Sequence, residues 1–210
     1  MGGYWRTGRV EALSDGVIAI AITLLVLELS VPETAFDDLW RGIAEEWPSY
    51  LAYATSFLTI GVFWFAHHGI FRRLQYANRR VMLINLLFLM AIAFLPFPTK
   101  LMAEAIHEAD ATRAAVIFYG ASLLVTSLLL SLLWGSVAYD RKLLVPEVDD
   151  QEVSAITQAL APTMGFYVAI IALAIVAPQV AAFGYLVVAI VGVLRAHGDR
   201  TPPPSTAAAP

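Results

Sequence analysis

The chain contains no cysteine, so disulfides, thiol nucleophiles and thiolate metal sites are excluded, and redox compartment cannot be read from it. Charge is also scarce. Charged residues make up 14% of the 210, whereas a soluble domain carries about 25%. The formal net charge of -4 leaves no basic footprint for nucleic acid. No internal repeat is present, since nothing after residue 110 resembles the first apolar segment. That segment has no small-x-small cleavage site before Pro32 and reads as a retained helix, not a signal peptide. Met1-Gly2 superficially suggests myristoylation, but Arg6 stands where that signal wants Ser or Thr.

What fills the chain is apolar: 59% of residues, with a mean hydropathy of +0.71. A helix rising 1.5 Å per residue needs about 20 such residues to cross a hydrocarbon core. Six segments supply them, at 9–31, 47–71, 81–102, 114–139, 156–177 and 180–194. The composition therefore predicts an all-α integral membrane protein with one six-helix domain over 1–196. The sixth segment is short, and only Pro178 and Gln179 precede it, so segments five and six read either as two spans or as one tight hairpin against the bundle. From His197 the Pro-, Ala- and Thr-rich tail is too poor in apolar surface to fold and is expected to be disordered.

Lys and Arg collect on the cytoplasmic side of membrane proteins. With both termini inside, Arg6, Arg9, Arg72, Arg73, Arg79, Arg80, Arg141, Lys142, Arg195 and Arg200 fall inside, against Arg41, Lys100 and Arg113 outside. That asymmetry, with an even number of spans, predicts a multi-pass inner-membrane protein with cytoplasmic ends. Two outer connections are acidic, one with Glu33, Asp37, Asp38, Glu45 and Glu46 and the other with Glu104, Glu108 and Asp110. Such loops either concentrate cations or are simply soluble.

The first segment carries most of the chemistry. Asp15 lies inside it, and a carboxylate in a membrane helix costs about 2.5–3.5 kcal/mol on insertion scales unless it has a partner, a wet cavity or a headgroup-level position. At 100° per residue, Leu13, Gly16, Ile20, Thr23, Leu24, Leu27 and Val31 share a face within about 60° of Ile20. Periodicity alone fits a lipid-facing stripe equally well. In a symmetric ring of such helices, Ile20, Leu24 and Leu27 would form stacked apolar collars with the Thr23 hydroxyl between the first two, and apolar collars gate by excluding water.

The run Arg9-x-x-x-Leu13-Ser14-Asp15, continuing Gly-Val-Ile-Ala-Ile-Ala-Ile-Thr-Leu-Leu-Val-Leu-Glu, resembles the signature of the transmembrane protein 175 family of potassium channels. That motif is Arg-x-x-x-Phe-Ser-Asp, so Leu13 departs from it with a smaller apolar residue. The resemblance continues through Trp64-Phe-Ala-His67-His68, Asn85-x-x-Phe88 and Leu95-Pro96-Phe97. It implies a six-helix prokaryotic member, a homotetramer around the first helix, and passive potassium conduction. Carried over, Ile20, Leu24 and Leu27 match apolar pore positions, and Thr23 matches the hydroxyl tied to selectivity. Arg9, Ser14 and Asp15 match the motif held by the second and third helices, here assigned to His67 or His68 and Asn85.

The remaining polar groups add detail. His67 and His68 point about 100° apart on a helix and cannot share a metal as i and i+4 ligands would, so no metal site or cofactor is expected. They serve better as hydrogen-bonding residues, and histidine also titrates near neutrality. Trp64, one turn before His68, is placed to stack on it. Pro96 and Pro98 predict a kink. Glu28, about 80° from Ile20, sits either at an outer mouth or at headgroup level. The chain lacks the Thr-Val-Gly-Tyr-Gly carbonyl filter of ordinary potassium channels. Competing readings are a transporter or channel carrying protons through Asp15 and His68, a membrane enzyme, or a structural protein. Transporters often show inverted repeats with broken helices at the midplane, and enzymes need convergent acids and bases; neither pattern is present.

Overall fold

The computed structural model describes residues 5–29, 33–105 and 109–198. Six of its helical stretches are long and apolar enough to cross a bilayer: Thr7–Glu28, Trp47–Phe71, Arg79–Glu104, Asp110–Tyr139, Asp150–Val176 and Pro178–Ala196. The first is helix α1 (Thr7–Leu24) tightened into a 3₁₀ turn at Leu25–Glu28. A 3₁₀ turn (Glu33–Asp38) and the short helix α2 (Leu39–Glu45) follow, neither foreseen from hydropathy. Then come α3 (Trp47–Phe71), α4 (Arg79–Phe94), α5 (Pro96–Glu104), α6 (Ala109–Tyr139), α7 (Asp150–Val176) and α8 (Pro178–Gly198).

Local chemistry sets these boundaries. Asn78 Oδ1 accepts from the Val81 amide at 2.9 Å and caps α4, while Asp149 Oδ1 accepts from the Glu152 amide at 2.7 Å and caps α7. The third apolar segment is two helices. Pro96 has no N–H to continue the ladder, so α4 ends at Phe94 and α5 restarts at Pro96, a break where a kink was expected. The Thr99 hydroxyl donates to the Leu95 carbonyl at the break, at 2.8 Å. Helix α8 runs four residues beyond the expected segment, and its 21 residues reach about 31 Å, enough to span. Residues 199–210 lie outside those described, so most of the expected tail is not described.

Helix α1 packs on α3 and α4; α6 lies against α4, α7 and α8; α3 lies against α8 and α5. Their shared core includes Ile60, Phe63, Phe88, Ile92, Leu123 and Leu133. At one end the chain makes a small ladder that an all-α reading does not anticipate. Strand β1 (Trp5–Arg6) pairs antiparallel with β2 (Tyr76–Ala77), Trp5 opposite Ala77 and Arg6 opposite Tyr76. Alongside, the Gln75 amide donates to the Leu143 carbonyl at 2.8 Å and the Val145 amide to the Arg73 carbonyl at 3.0 Å. Backbone groups in short connections need partners, and here the amino end and two connections supply them to one another. The amino end, the α3–α4 connection and the α6–α7 connection therefore share one end of the bundle, as alternating spans require.

Candidate ion pathway and the network that positions its helix

Helix α1 has one packed face and one bare face. Ser14, Ile18 and Ala21 are buried against α3 and α4, and Leu25, four residues further on in the 3₁₀ turn, against α3 and α5. Ile18 is 1% exposed, whereas Ile20, two residues on, is 60% exposed. Leu13, Gly16, Thr23, Leu24 and Leu27 are exposed with Ile20, so the stripe singled out in the sequence is the uncovered side of the helix. Val31, its last member, lies outside the described residues. The 3₁₀ turn rotates each residue after Leu24 by about 120° instead of 100°, and Leu27 still faces outward while Leu25 is fully buried.

The Thr23 hydroxyl donates to the Ile20 carbonyl one turn back, at 2.9 Å. With its proton held there, the oxygen presents lone pairs to whatever approaches the bare face.

Polar contacts fix the rotation of α1. Asn85 on α4 uses both ends of its amide: Nδ2 donates to Ser14 Oγ at 3.0 Å, and Oδ1 lies 2.8 Å from His67 Nε2. An amide oxygen only accepts, so His67 Nε2 carries the proton. Ser14 Oγ in turn donates to the Val10 carbonyl at 2.9 Å. All three side chains are buried. The imidazole is held between Phe71 and Phe88, with ring centroids 4.4 and 5.3 Å away and both pairs stacked.

A second set of contacts runs beside the first. Trp64 Nε1 donates to Asp15 Oδ1 at 2.9 Å. His68 Nδ1 lies 3.1 Å from Glu11 Oε1, within ion-pair range when the imidazole is protonated but off the direction a hydrogen bond requires. Trp64 and His68 stack at 5.8 Å, as their one-turn spacing predicts. The acids rise by one turn along α1 while their partners fall by one turn along α3, the register of antiparallel neighbours.

The motif residues thus part company. Ser14 and Asp15 are held, by Asn85 and Trp64. Of the two histidines assigned jointly, His67 reaches Asn85 and His68 faces Glu11. Arg9 is exposed and makes no hydrogen bond or ion pair among the described residues, so it does not join the network it was expected to share. Glu28 carries a partner that the sequence did not indicate: Lys100 Nζ lies 3.3 Å from its Oε2.

A family model described as "Endosomal/lysosomal potassium channel TMEM175" matches residues 9–96, the stretch that holds α1, α3, α4 and every member of the network. A protein from Chamaesiphon minutus named as a potassium channel is 39% identical over 195 residues, covering 91% of this chain and 96% of its own. The chain belongs to the TMEM175 family. The crystal structure of a lysosomal potassium-selective channel TMEM175 homolog from the same organism superposes with a TM-score of 0.82 at 38% identity, covering 90% of this chain and 97% of that one. A TMEM175 protein of Gallus gallus, named as an endosomal/lysosomal proton channel, is 42% identical over 105 residues, which is 46% of this chain and 21% of its own.

Two members of the network, Trp64 and Glu11, have contacts that the sequence does not indicate. Stacking on His68 leaves the Trp64 indole N–H without an acceptor, which such a donor in a membrane helix needs, and the fold supplies Asp15. Glu11, near the start of the first span, carries no role in the sequence reading. Its position one turn before Asp15 was the available signal.

Proposed function

We propose that four copies of this chain meet around α1 and conduct potassium passively, with Ile20, Leu24 and Leu27 as the apolar constriction and Thr23 as a ring of oxygens within it. The carrying observation is the asymmetry of α1: one face is packed and hydrogen-bonded to the subunit, and the other presents this stripe with no partner among the described residues. One helix cannot enclose a pore, so a single copy of the motif requires an assembly. The names borne by relatives support the permeant ion. Without a carbonyl filter, selectivity rests on the narrow collar and the Thr23 oxygens, which implies weaker discrimination than a carbonyl filter provides. The reading takes the chain as a plasma-membrane channel with both termini cytoplasmic, no cofactor and no catalysed reaction; the ladder joining the amino end to two connections, with the arginines around it, supports that orientation.

The test is flux in liposomes. Purified protein should pass potassium faster than sodium with no coupled ion, and Ile20→Asn should raise total flux while lowering the preference. Equal potassium and sodium flux in the unmutated protein removes the selectivity claim. The vertebrate relative named as a proton channel favours proton permeation as the second reading. A pH-sensitive dye trapped in the same liposomes separates the two, and proton entry that stoichiometrically drives potassium would make the protein a transporter. Native mass in detergent reads the stoichiometry.

A further inference from the structure

Beside the bare face of α1 opens a groove of about 570 Å³, lined by Leu24, Leu27, Phe94 and Phe97 and carrying the charges of Glu28, Lys100 and Glu104. It lies beside the break that Pro96 makes in the third span, where α5 restarts and carries Lys100 to the 3₁₀ end of the first span. Lys100 Nζ then sits 3.3 Å from Glu28 Oε2, one residue beyond Leu27. Both side chains are partly uncovered in the single chain, at 49% and 25% exposure, and they sit at the end of the first span that the pore reading makes its outer mouth.

An ammonium is a monovalent cation on a stem. At this distance it occupies the coordination side of the carboxylate that an arriving potassium would use, and it cancels the charge that would attract one. We propose that Lys100 is a tethered counterion that neutralises Glu28 at the outer mouth, limiting cation entry and denying divalent cations the Glu28 carboxylate. This rests on the pore reading of α1 given above. In a fourfold assembly the pairing cancels the ring of four Glu28 carboxylates and leaves Glu104 as the remaining acid of each groove. Unpaired, such a ring raises the local cation concentration, and the effect is screened as salt rises.

Single-channel recording in planar bilayers tests it, with potassium as permeant ion and external barium as the divalent probe. Lys100→Gln frees Glu28 and should raise conductance roughly threefold at about 20 mM potassium, with the difference collapsing near 1 M, where the screening length is about 3 Å. The same variant should gain block by external barium that the unmutated channel lacks. Glu28→Gln should act in the opposite sense, lowering conductance at low salt because Lys100 is left unopposed. Lys100→Arg should behave as the unmutated protein. Since the two single variants are read with opposite sign, failure of one to assemble leaves the other decisive. A conducting protein in which neither neutral variant changes low-salt conductance or barium block overturns the role given to Lys100. If the unmutated protein does not conduct, or Ile20→Asn leaves its flux unchanged, it is the pore reading that fails.

Discussion

Around Glu11, Ser14 and Asp15, α1 is tied to its neighbours by directional contacts: Asn85 to Ser14, Trp64 to Asp15, and His68 facing Glu11. Around Leu24 to Glu28 the same span is held by apolar packing of Leu25 and one solvent-exposed ion pair, Glu28 with Lys100. Lipid offers no hydrophobic gain for helix association, so polar contacts and close packing decide which way a membrane helix faces. A hydrogen bond fixes rotation, because a slip of one residue turns the donor away by about 100°. An exposed ion pair does so weakly, being worth about 0–1 kcal/mol and screened by salt. One end of α1 is therefore held by directional bonds, and the other by packing and a single ion pair.

Variants along α1 and its partners sharpen that contrast. The largest loss is expected for Asn85→Leu, which leaves the His67 Nε2 proton and the outer side of Ser14 without partners in a buried site. The variant should lose about 2 kcal/mol against chemical unfolding in detergent. An unchanged unfolding midpoint would show that the anchor is not where the helix is held. Next comes Ile18→Ala, which opens a cavity on the packed face and should cost about 1–2 kcal/mol, the packing part of what water-soluble cores lose. Ile20→Ala, two residues away on the bare face, should leave subunit unfolding within about 0.5 kcal/mol and act on flux instead. Should the two isoleucines prove equally costly to the isolated subunit, the division of α1 into two faces is wrong.

Asp15→Ala removes one acceptor and leaves the Trp64 indole unpaired, for a loss of about 1 kcal/mol in the same assay. Assembly should suffer before conduction does. Normal tetramers without conductance would move Asp15 from the anchor to the ion path. The smallest effect on stability belongs to the outer pair: Lys100→Gln should shift unfolding by less than about 1 kcal/mol. A large destabilisation there would mean that the outer end is anchored after all.

Much of this architecture was legible in the chain. Six apolar stretches had to be helices, since unsatisfied backbone groups are not tolerated in a hydrocarbon core, and the break at Pro96 follows from a missing N–H. The stripe of Ile20, Thr23, Leu24 and Leu27 could be drawn from a wheel, because it depends only on helical period. Which side of that wheel is packed could not, since lipid, pore and neighbouring helix all accept leucine and isoleucine. Ser14, Ile18, Ala21 and Leu25 announce themselves as the inner face only once α3, α4 and α5 lie against them.

The same division runs through the polar residues. Sequence determined that Asp15, His67, His68 and Asn85 must find partners, because burying them unpaired in a membrane is costly. It also supplied, at Trp64 and Glu11, groups with matching one-turn spacing. Tertiary structure alone decided the pairings: antiparallel packing of α3 on α1 sends Trp64 to Asp15 and turns His68 toward Glu11, while α4 delivers Asn85 between Ser14 and His67. Lys100 and Glu28 are 72 residues apart, and no spacing rule connects them. Their contact exists because α5, beyond the break at Pro96, packs against the end of the first span, a geometry that belongs to the assembled bundle and not to any one segment of it.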